Sequence, residues 1–332
     1  MKDKIQIAVI GSGSWATALV KILLENNYPV NWWVRNEDSR HHISSYGHNP
    51  RYLQSVELDQ TCLTVLADVR GAIANSEVII VATPSAFITQ AFHGISREEL
   101  SNKLIFSAVK GFIADAHMIP ANYFNTYFGV DFEHIGIICG PCHAEEVGME
   151  KLSFLTVACP NSENALKVSR LLACRYISTQ VSNDILGLEY AAVLKNVYAL
   201  AGGISAGLGY GDNYLAILVS NAIQEIERFI DVVAPAKRDV KISGYLGDLL
   251  VTAYSNFSRN RTFGVMIGKG YSVKSAQLEM NMIAEGYYAL KSIHVLNEKY
   301  AVHMPIMETI YDIVYNKKNP KKEFIILSEQ LK

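Results

Sequence analysis

Along the first half of the chain, short and mostly unbroken apolar runs alternate with longer stretches of helical periodicity. The runs are Ile5–Ile10, Val30–Val34, Cys62–Leu66, Val78–Ala82, Leu104–Ala108, Ile135–Ile138 and Phe154–Val157, with Gly, Pro, Ser and Asn among the residues that bound them. Runs of this length predict parallel strands buried on both faces, with the intervening helices laid over the sheet. After Ser182 the texture changes. Apolar positions recur at three- and four-residue steps and predict helices over 185–200, 213–230, 244–254, 284–300 and 305–315, with glycine clusters between them. Phe324–Leu327 fits a strand or a helix equally well. The expected architecture is therefore α/β, a doubly wound sheet in residues 1–182 followed by an all-helical domain in residues 183–332, with the site in the crevice between them.

The first strand runs directly into Gly11-Ser12-Gly13-Ser14-Trp15-Ala16, a G-x-G-x-x-A turn that opens a helix. Strand, glycine turn and helix in this order form a Rossmann dinucleotide-binding fingerprint. Gly11 permits the tight turn, Gly13 lets backbone approach a pyrophosphate, and the small Ala16 lets helix pack on strand, with the helix N-terminus facing the anion.

Bulk composition narrows the function classes. The 332 residues are 50% apolar, enough for two sizeable cores, and 30 basic against 32 acidic residues leave a net charge of -2. Such a balance gives no basic field for nucleic acid or an anionic membrane. The N-terminal apolar stretch is too short for a signal peptide, and no apolar run reaches membrane-spanning length, so a cytoplasmic protein without membrane insertion is expected. Among the five cysteines, Cys139-Gly140-Pro141-Cys142 matches the thioredoxin tetrapeptide. It follows a strand of a large sheet and continues into His143-Ala144-Glu145, which is the wrong context for thiol exchange. Cys62, Cys159 and Cys174 stand singly, so no metal site is expected, and the cysteines read as buried reduced thiols.

Chemistry enters in the second half. The apolar stretch Glu189–Val197 presents Lys195 and Asn196 side by side. An ammonium there either snorkels to solvent or faces a polar cleft, where it could exchange a proton with a carbonyl oxygen that Asn196 holds. Asp248 and Thr252, four apart on one helical face, could orient that ammonium. Ser258-Arg259-Asn260 offers a hydroxyl, a forked guanidinium and an amide, donors suited to a phosphate, although an ordinary polar loop has the same composition.

Taken in order, Gly11–Ala18, Val109-Lys110-Gly111, Gly140-Pro141, Leu194–Val197, Gly207–Asn213, Gly247-Asp248-Leu249, Ser258–Arg261 and Glu285-Gly286 resemble the bacterial NAD(P)-dependent glycerol-3-phosphate dehydrogenases over essentially the whole chain. The resemblance implies interconversion of sn-glycerol 3-phosphate and dihydroxyacetone phosphate, a phosphorylated C3 substrate, for phospholipid synthesis. It also implies a homodimer. Lys195 would be the catalytic proton acceptor in oxidation and donor in reduction. Lys110, Gly140, Cys142, Asn196, Asp248, Thr252, Ser258, Arg259 and Asn260 would meet substrate. Gly11, Gly13, Ser14, Trp15, Ala16, Arg35, Lys110, Ala144, Arg259, Ile283 and Glu285 would meet NAD or NADP.

Cys139 and Cys142 stand where this family has small hydroxyl residues, and a thiol is the weaker donor. Where an acid would grip the ribose of NAD, the second strand ends in Val34-Arg35-Asn36; Arg35 could accommodate the extra phosphate of NADP, with Glu37 and Asp38 close enough to oppose it, so both cofactors are expected to work. The alternatives are a ketopantoate or 3-hydroxy acid reductase, which would need carboxylate recognition, and a non-catalytic NAD(P) sensor.

Overall fold

The computed structural model describes residues 5–113, 116–280 and 284–332. It comprises two compact units, Met1–Val109 with Met118–Ile185 and Lys110–His117 with Leu186–Lys332. A single division at 182/183 does not describe the short excursion of Lys110–His117 into the helical unit. Its reason is burial: Phe112 and Ile113 lie within that unit's interior, the Phe112 ring 6.1 Å from that of Tyr190.

The first unit is built on one eight-stranded sheet: β1 (Ile7–Ile10), β2 (Val30–Trp33), β3 (Leu63–Leu66), β4 (Val78–Val81), β5 (Leu104–Ser107), β6 (Ile135–Cys139), β7 (Ser153–Ala158) and β8 (Ile177–Ser182). The spatial order is β3-β2-β1-β4-β5-β6-β7-β8. Ile7 pairs with Val30 on one side and Val78 on the other, so the order reverses beside β1 and opens a crevice at the strand C-termini. β1, β4 and β5 are buried throughout, which is why they read as unbroken apolar runs.

Two features depart from the sequence expectation. β7 is antiparallel to β6, whereas every other neighbouring pair is parallel. The connection between them carries only the helix Ala144–Gly148, whose length of roughly 7.5 Å cannot return the chain across the sheet. The strand β8 was not expected at all. It is an edge strand, Ile-Ser-Thr-Gln-Val-Ser, with Ile177 alone buried, and an edge has no need of apolar side chains on both faces.

The second unit is helical. The expected helix at 185–200 continues to Gly207, that at 213–230 spans Asp212–Val233, and Phe324–Leu327 lies in the helix Pro320–Ser328. Helices Arg259–Gly268 and Val273–Glu279 were not expected, because glycine and polar residues in the first of these read as a loop. Tertiary contact explains the glycines. A Cβ on Gly203 would lie 2.1 Å from the Arg261 carbonyl oxygen, and one on Gly264 2.3 Å from that of Leu200. One turn further, a Cβ on Gly207 would lie 2.4 Å from the Val265 carbonyl oxygen and one on Gly268 2.4 Å from that of Ile204. Helices Ile185–Gly207 and Arg259–Gly268 therefore run parallel, backbone against backbone, with a fixed mutual register. Glu225, fully buried on the helix Asp212–Val233, ties in a third element: its carboxylate accepts the N–H groups of Ile306 (2.6 Å) and Met307 (3.3 Å) and the Tyr198 hydroxyl (3.0 Å). This caps the helix Pro305–Val314, and burial pushes the Glu225 carboxyl up to about 7.

Among the described residues no helix is long and apolar enough to cross a membrane. Gly264→Ala should lower unfolding free energy by about 1–3 kcal/mol or more, the scale of an overpacked core. Gly211→Ala, where a Cβ meets nothing within 4 Å, should leave it within about 0.5 kcal/mol. Denaturant titration of both variants measures this, and equal midpoints would contradict the close crossing.

Candidate active site

In the first unit the glycine turn is held by its carbonyls. The Ile10 oxygen accepts the Thr83 hydroxyl at 2.9 Å, the Gly11 oxygen the Trp32 indole N–H at 2.6 Å, the Ser12 oxygen the Asn49 amide at 3.2 Å, and the Gly13 oxygen the Thr17 hydroxyl at 3.0 Å. Four successive acceptors are thus turned into protein. The helix Ser14–Glu25 starts at Gly13 with no side-chain cap, and a helix start of this kind favours an anion. Gly11, at φ +134°, could not carry a side chain, since a Cβ would sit 2.6 Å from the Ala82 oxygen. Gly13 is different. Its backbone is ordinary extended chain, and a Cβ there would meet nothing within 4 Å. That open space belongs to a cavity of about 520 Å³ lined by Gly11, Ser12, Gly13, Trp33, Arg35, Tyr52 and Phe87, among others. A glycine whose Cβ would project into a cavity, beside a helix N-terminus, fits a dinucleotide pyrophosphate.

Ala16 is fully buried in the core and Ser14 nearly so, while Trp15 packs at the core's edge; none of the three lines the cavity. Arg35 does line it, with its guanidinium over the Phe87 ring at 5.2 Å. Glu37 and Asp38 lie instead in the first turn of the helix Glu37–Tyr46, where they complement its dipole. Trp33, Tyr52, Thr83 and Phe87 were missed from sequence. Trp33 ends β2, and Thr83 and Phe87 follow β4, positions that the crevice rule could have flagged; Tyr52 lies in a loop with no such signal.

Gly140, Cys142 and Ala144 follow β6 in the same unit. Gly140 has φ +115°, and a Cβ would lie 2.8 Å from the Phe154 oxygen, so the loop turns back against β7. All five cysteines stand as thiols, with Cys139, Cys142 and Cys159 buried. Burial pushes the Cys159 thiol up to about 11, and it donates to the Glu133 carbonyl at 3.2 Å, which is the environment of an inert thiol.

The second unit gathers the ionisable groups. Lys195 is 3% exposed, so it does not snorkel; its Nζ donates to Asp248 Oδ1, which is 1% exposed as a residue. The other carboxylate oxygen lies 3.8 Å from Lys110 Nζ. One carboxylate therefore serves two ammoniums. Burial holds the Lys195 ammonium well below the usual lysine range, at about 7, with Lys110 pushing it the same way and Asp248 opposing both. Asp248 opens the helix Asp248–Tyr254 directly after a π-helical turn at Ser243–Gly247, and the Thr252 hydroxyl goes back to the Asp248 carbonyl at 2.6 Å. The Asn196 amide donates to the Lys110 carbonyl at 2.9 Å, so at least one of its two N–H groups holds backbone.

Ser258-Arg259-Asn260 is a helix start. Ser258 caps Arg259–Gly268 by accepting the Arg261 N–H, Arg259 is exposed at the first position, and the Asn260 side-chain oxygen accepts the Gly286 N–H at 2.9 Å. A Cβ on Gly286 would lie 2.5 Å from the Asn196 oxygen and 3.0 Å from Asn260 Oδ1, so Gly286 brings these two asparagines together. The preceding Glu285 is half-buried at the start of its helix, and Ile283 lies outside the described residues.

The family model for the N-terminus of NAD-dependent glycerol-3-phosphate dehydrogenase matches residues 6–165, and that for its C-terminus residues 184–324. The chain belongs to this family. It is 34% identical over 318 residues to a glycerol-3-phosphate dehydrogenase [NAD(P)+] of Desulfotalea psychrophila, covering 94% of this chain and 93% of that one. A crystal structure of glycerol-3-phosphate dehydrogenase from Coxiella burnetii superposes with TM-score 0.91 at 27% identity, over 98% and 99% of the two chains. A D-mandelate dehydrogenase at 15% identity and TM-score 0.61, covering 96% and 99%, shares the fold alone. The family assignment carries the NAD(P) cofactor class and does not favour the ketopantoate or hydroxy acid alternatives.

Gly13→Val should cost no more than about 1 kcal/mol of stability, as a poorer residue at the N-cap of helix Ser14–Glu25, and weaken NADH binding about tenfold or more, the scale of one lost charge-assisted hydrogen bond. Calorimetric titration measures it; undiminished affinity would place the pyrophosphate elsewhere.

Proposed function

We propose that this chain is an NAD(P)-dependent oxidoreductase that interconverts sn-glycerol 3-phosphate and dihydroxyacetone phosphate, and that it works as a cytoplasmic homodimer in phospholipid synthesis. The observation that carries the reaction is the buried Lys195–Asp248 pair with Lys110 beside it. Gly11, Gly13 and Arg35, with Ser14, Trp15, Ala144, Ile283 and Glu285, are assigned to the dinucleotide. When bound, its nicotinamide accepts or supplies the hydride.

The protein residues handle the proton and the phosphate. Lys195 Nζ, neutral in the oxidising direction, takes the hydroxyl proton of the alcohol; charged in reduction, it returns one to the carbonyl oxygen. Asp248 holds the ammonium once formed, and Lys110 keeps its proton affinity low. Asn196 sets Lys110 through the backbone and is assigned with Thr252 to the substrate; Gly140 and Cys142 carry that assignment from the resemblance alone. The N–H groups at the start of helix Arg259–Gly268, with Ser258, Arg259 and Asn260, receive the phosphate. Such a helix start suits a carboxylate as well as a phosphate, so the choice of the phosphorylated substrate rests on the family match. A mere sensor would not need a buried ammonium with a lowered proton affinity, which is costly unless it serves chemistry.

Lys195→Ala should retain dinucleotide binding and lose about a hundredfold or more in kcat, as expected for a positioned acid or base. Near-normal kcat would refute the assignment. Because oxidation requires neutral Lys195 and reduction requires it charged, kcat for glycerol 3-phosphate should fall below a pH of about 7 and kcat for dihydroxyacetone phosphate should fall above it. Asp248→Asn removes the group that favours the ammonium, so both limbs should move to lower pH. Stopped-flow pH profiles of the chemical step would show this, and profiles without an inflection between pH 5 and 9 would count against it.

A further inference from the structure

Arg35 lies two residues beyond the end of β2 and lines the cavity with an exposed side chain, so nothing about the strand itself fixes where the guanidinium goes. Phe87 does. Its ring lies under the guanidinium carbon at 5.2 Å, and both residues line the same cavity. The backbone that carries Phe87 is itself anchored. The residue ends the single turn Ser85–Phe87, whose Phe87 N–H donates to the Pro84 carbonyl at 2.9 Å, and Thr83 just before that turn is bonded to Ile10 at the glycine turn. From the other side, Arg40 donates to the carbonyls of Val34 and Arg35, both at 2.9 Å, which fixes the backbone from which Arg35 springs. Among the described residues Arg35 has no carboxylate within 4 Å, so its charge is not spent on Glu37 or Asp38.

A guanidinium held over a ring by attraction to its face still has N–H donors to offer an anion. We infer that Phe87 is a specificity-determining positioning residue, holding Arg35 ready for the ribose phosphate that distinguishes NADP(H) from NAD(H). The inference rests on the reading that Arg35 meets that phosphate. A free arginine would have to order its long side chain on binding, whereas one already held over a ring has lost part of that freedom beforehand. The benefit reaches only the phosphorylated cofactor, because NADH presents no anion at that position. If Phe87 instead packs only on the adenosine common to both, its loss must weaken both equally.

The test is equilibrium binding of NADPH and of NADH to the whole protein, read by ligand fluorescence and calorimetry, for wild type, Phe87→Leu, Phe87→Tyr and Arg35→Ala. Phe87→Leu should weaken NADPH about two- to fivefold more than NADH, the scale of an exposed cation–π contact. Phe87→Tyr, which keeps the ring, should restore the wild-type ratio. In the Arg35→Ala background, removing the ring should no longer change the ratio. Equal losses for the two cofactors in Phe87→Leu, or an unchanged ratio while Arg35→Ala lowers it, would overturn the role given to Phe87 and leave that of Arg35 intact. An unchanged ratio in Arg35→Ala would overturn the underlying reading, and this inference with it.

Discussion

A buried ammonium needs a buried counter-charge, and the helical unit is arranged around that need. Lys195 lies in an apolar helix away from water, and desolvation alone would strip its proton. The Asp248 carboxylate prevents that by bonding Lys195 while also facing Lys110. The balance among the three leaves Lys195 able to change charge near neutrality, which neither full burial nor a simple ion pair would do. The supporting contacts follow from this demand. A π-helical turn delivers Asp248, Asn196 holds the backbone of Lys110, and the burial of Phe112 and Ile113 keeps that segment with the helices.

The nucleotide-binding unit meets its own demand by a different device. An anion site made from backbone must present N–H groups and dispose of the carbonyls that come with them. Here Thr83, Trp32, Asn49 and Thr17 each take one carbonyl of the turn from Ile10 to Gly13. Three of these donors are distant in sequence, so the turn is shaped by β2, the post-β4 loop and the segment around Asn49 as much as by its glycines.

What was legible in the sequence was what is local. The glycine turn, seven of the eight strands and the long helices show themselves by spacing, because one segment's neighbours along the chain largely determine its pattern. Lys195 and Asp248 stood out as charges in apolar company. What was hidden depends on partners far along the chain. β8 looks polar because it is an edge, and the helix Arg259–Gly268 looks like a loop because its glycines answer to another helix. The excursion of Lys110–His117 is hidden because Phe112 finds Tyr190 across the sequence. Reading Ser258-Arg259-Asn260 as a phosphate-binding set was possible from composition, but its setting as a helix start was not. The four-residue spacing of Gly203 with Gly207 and of Gly264 with Gly268 marks close helix contact, but in the sequence these glycines read as breaks between helices.

That crossing constrains how the two helices can drift. A clash between two side chains can be relieved by shrinking either, so such positions exchange bulk between them over many substitutions. At Gly203 and Gly264 the obstacle is a main-chain carbonyl, which is the same atom whatever residue carries it. No change in the opposing helix can make room. Each glycine is thus held independently, and related sequences should show these positions as fixed points without a covarying partner, even though they lie in direct contact.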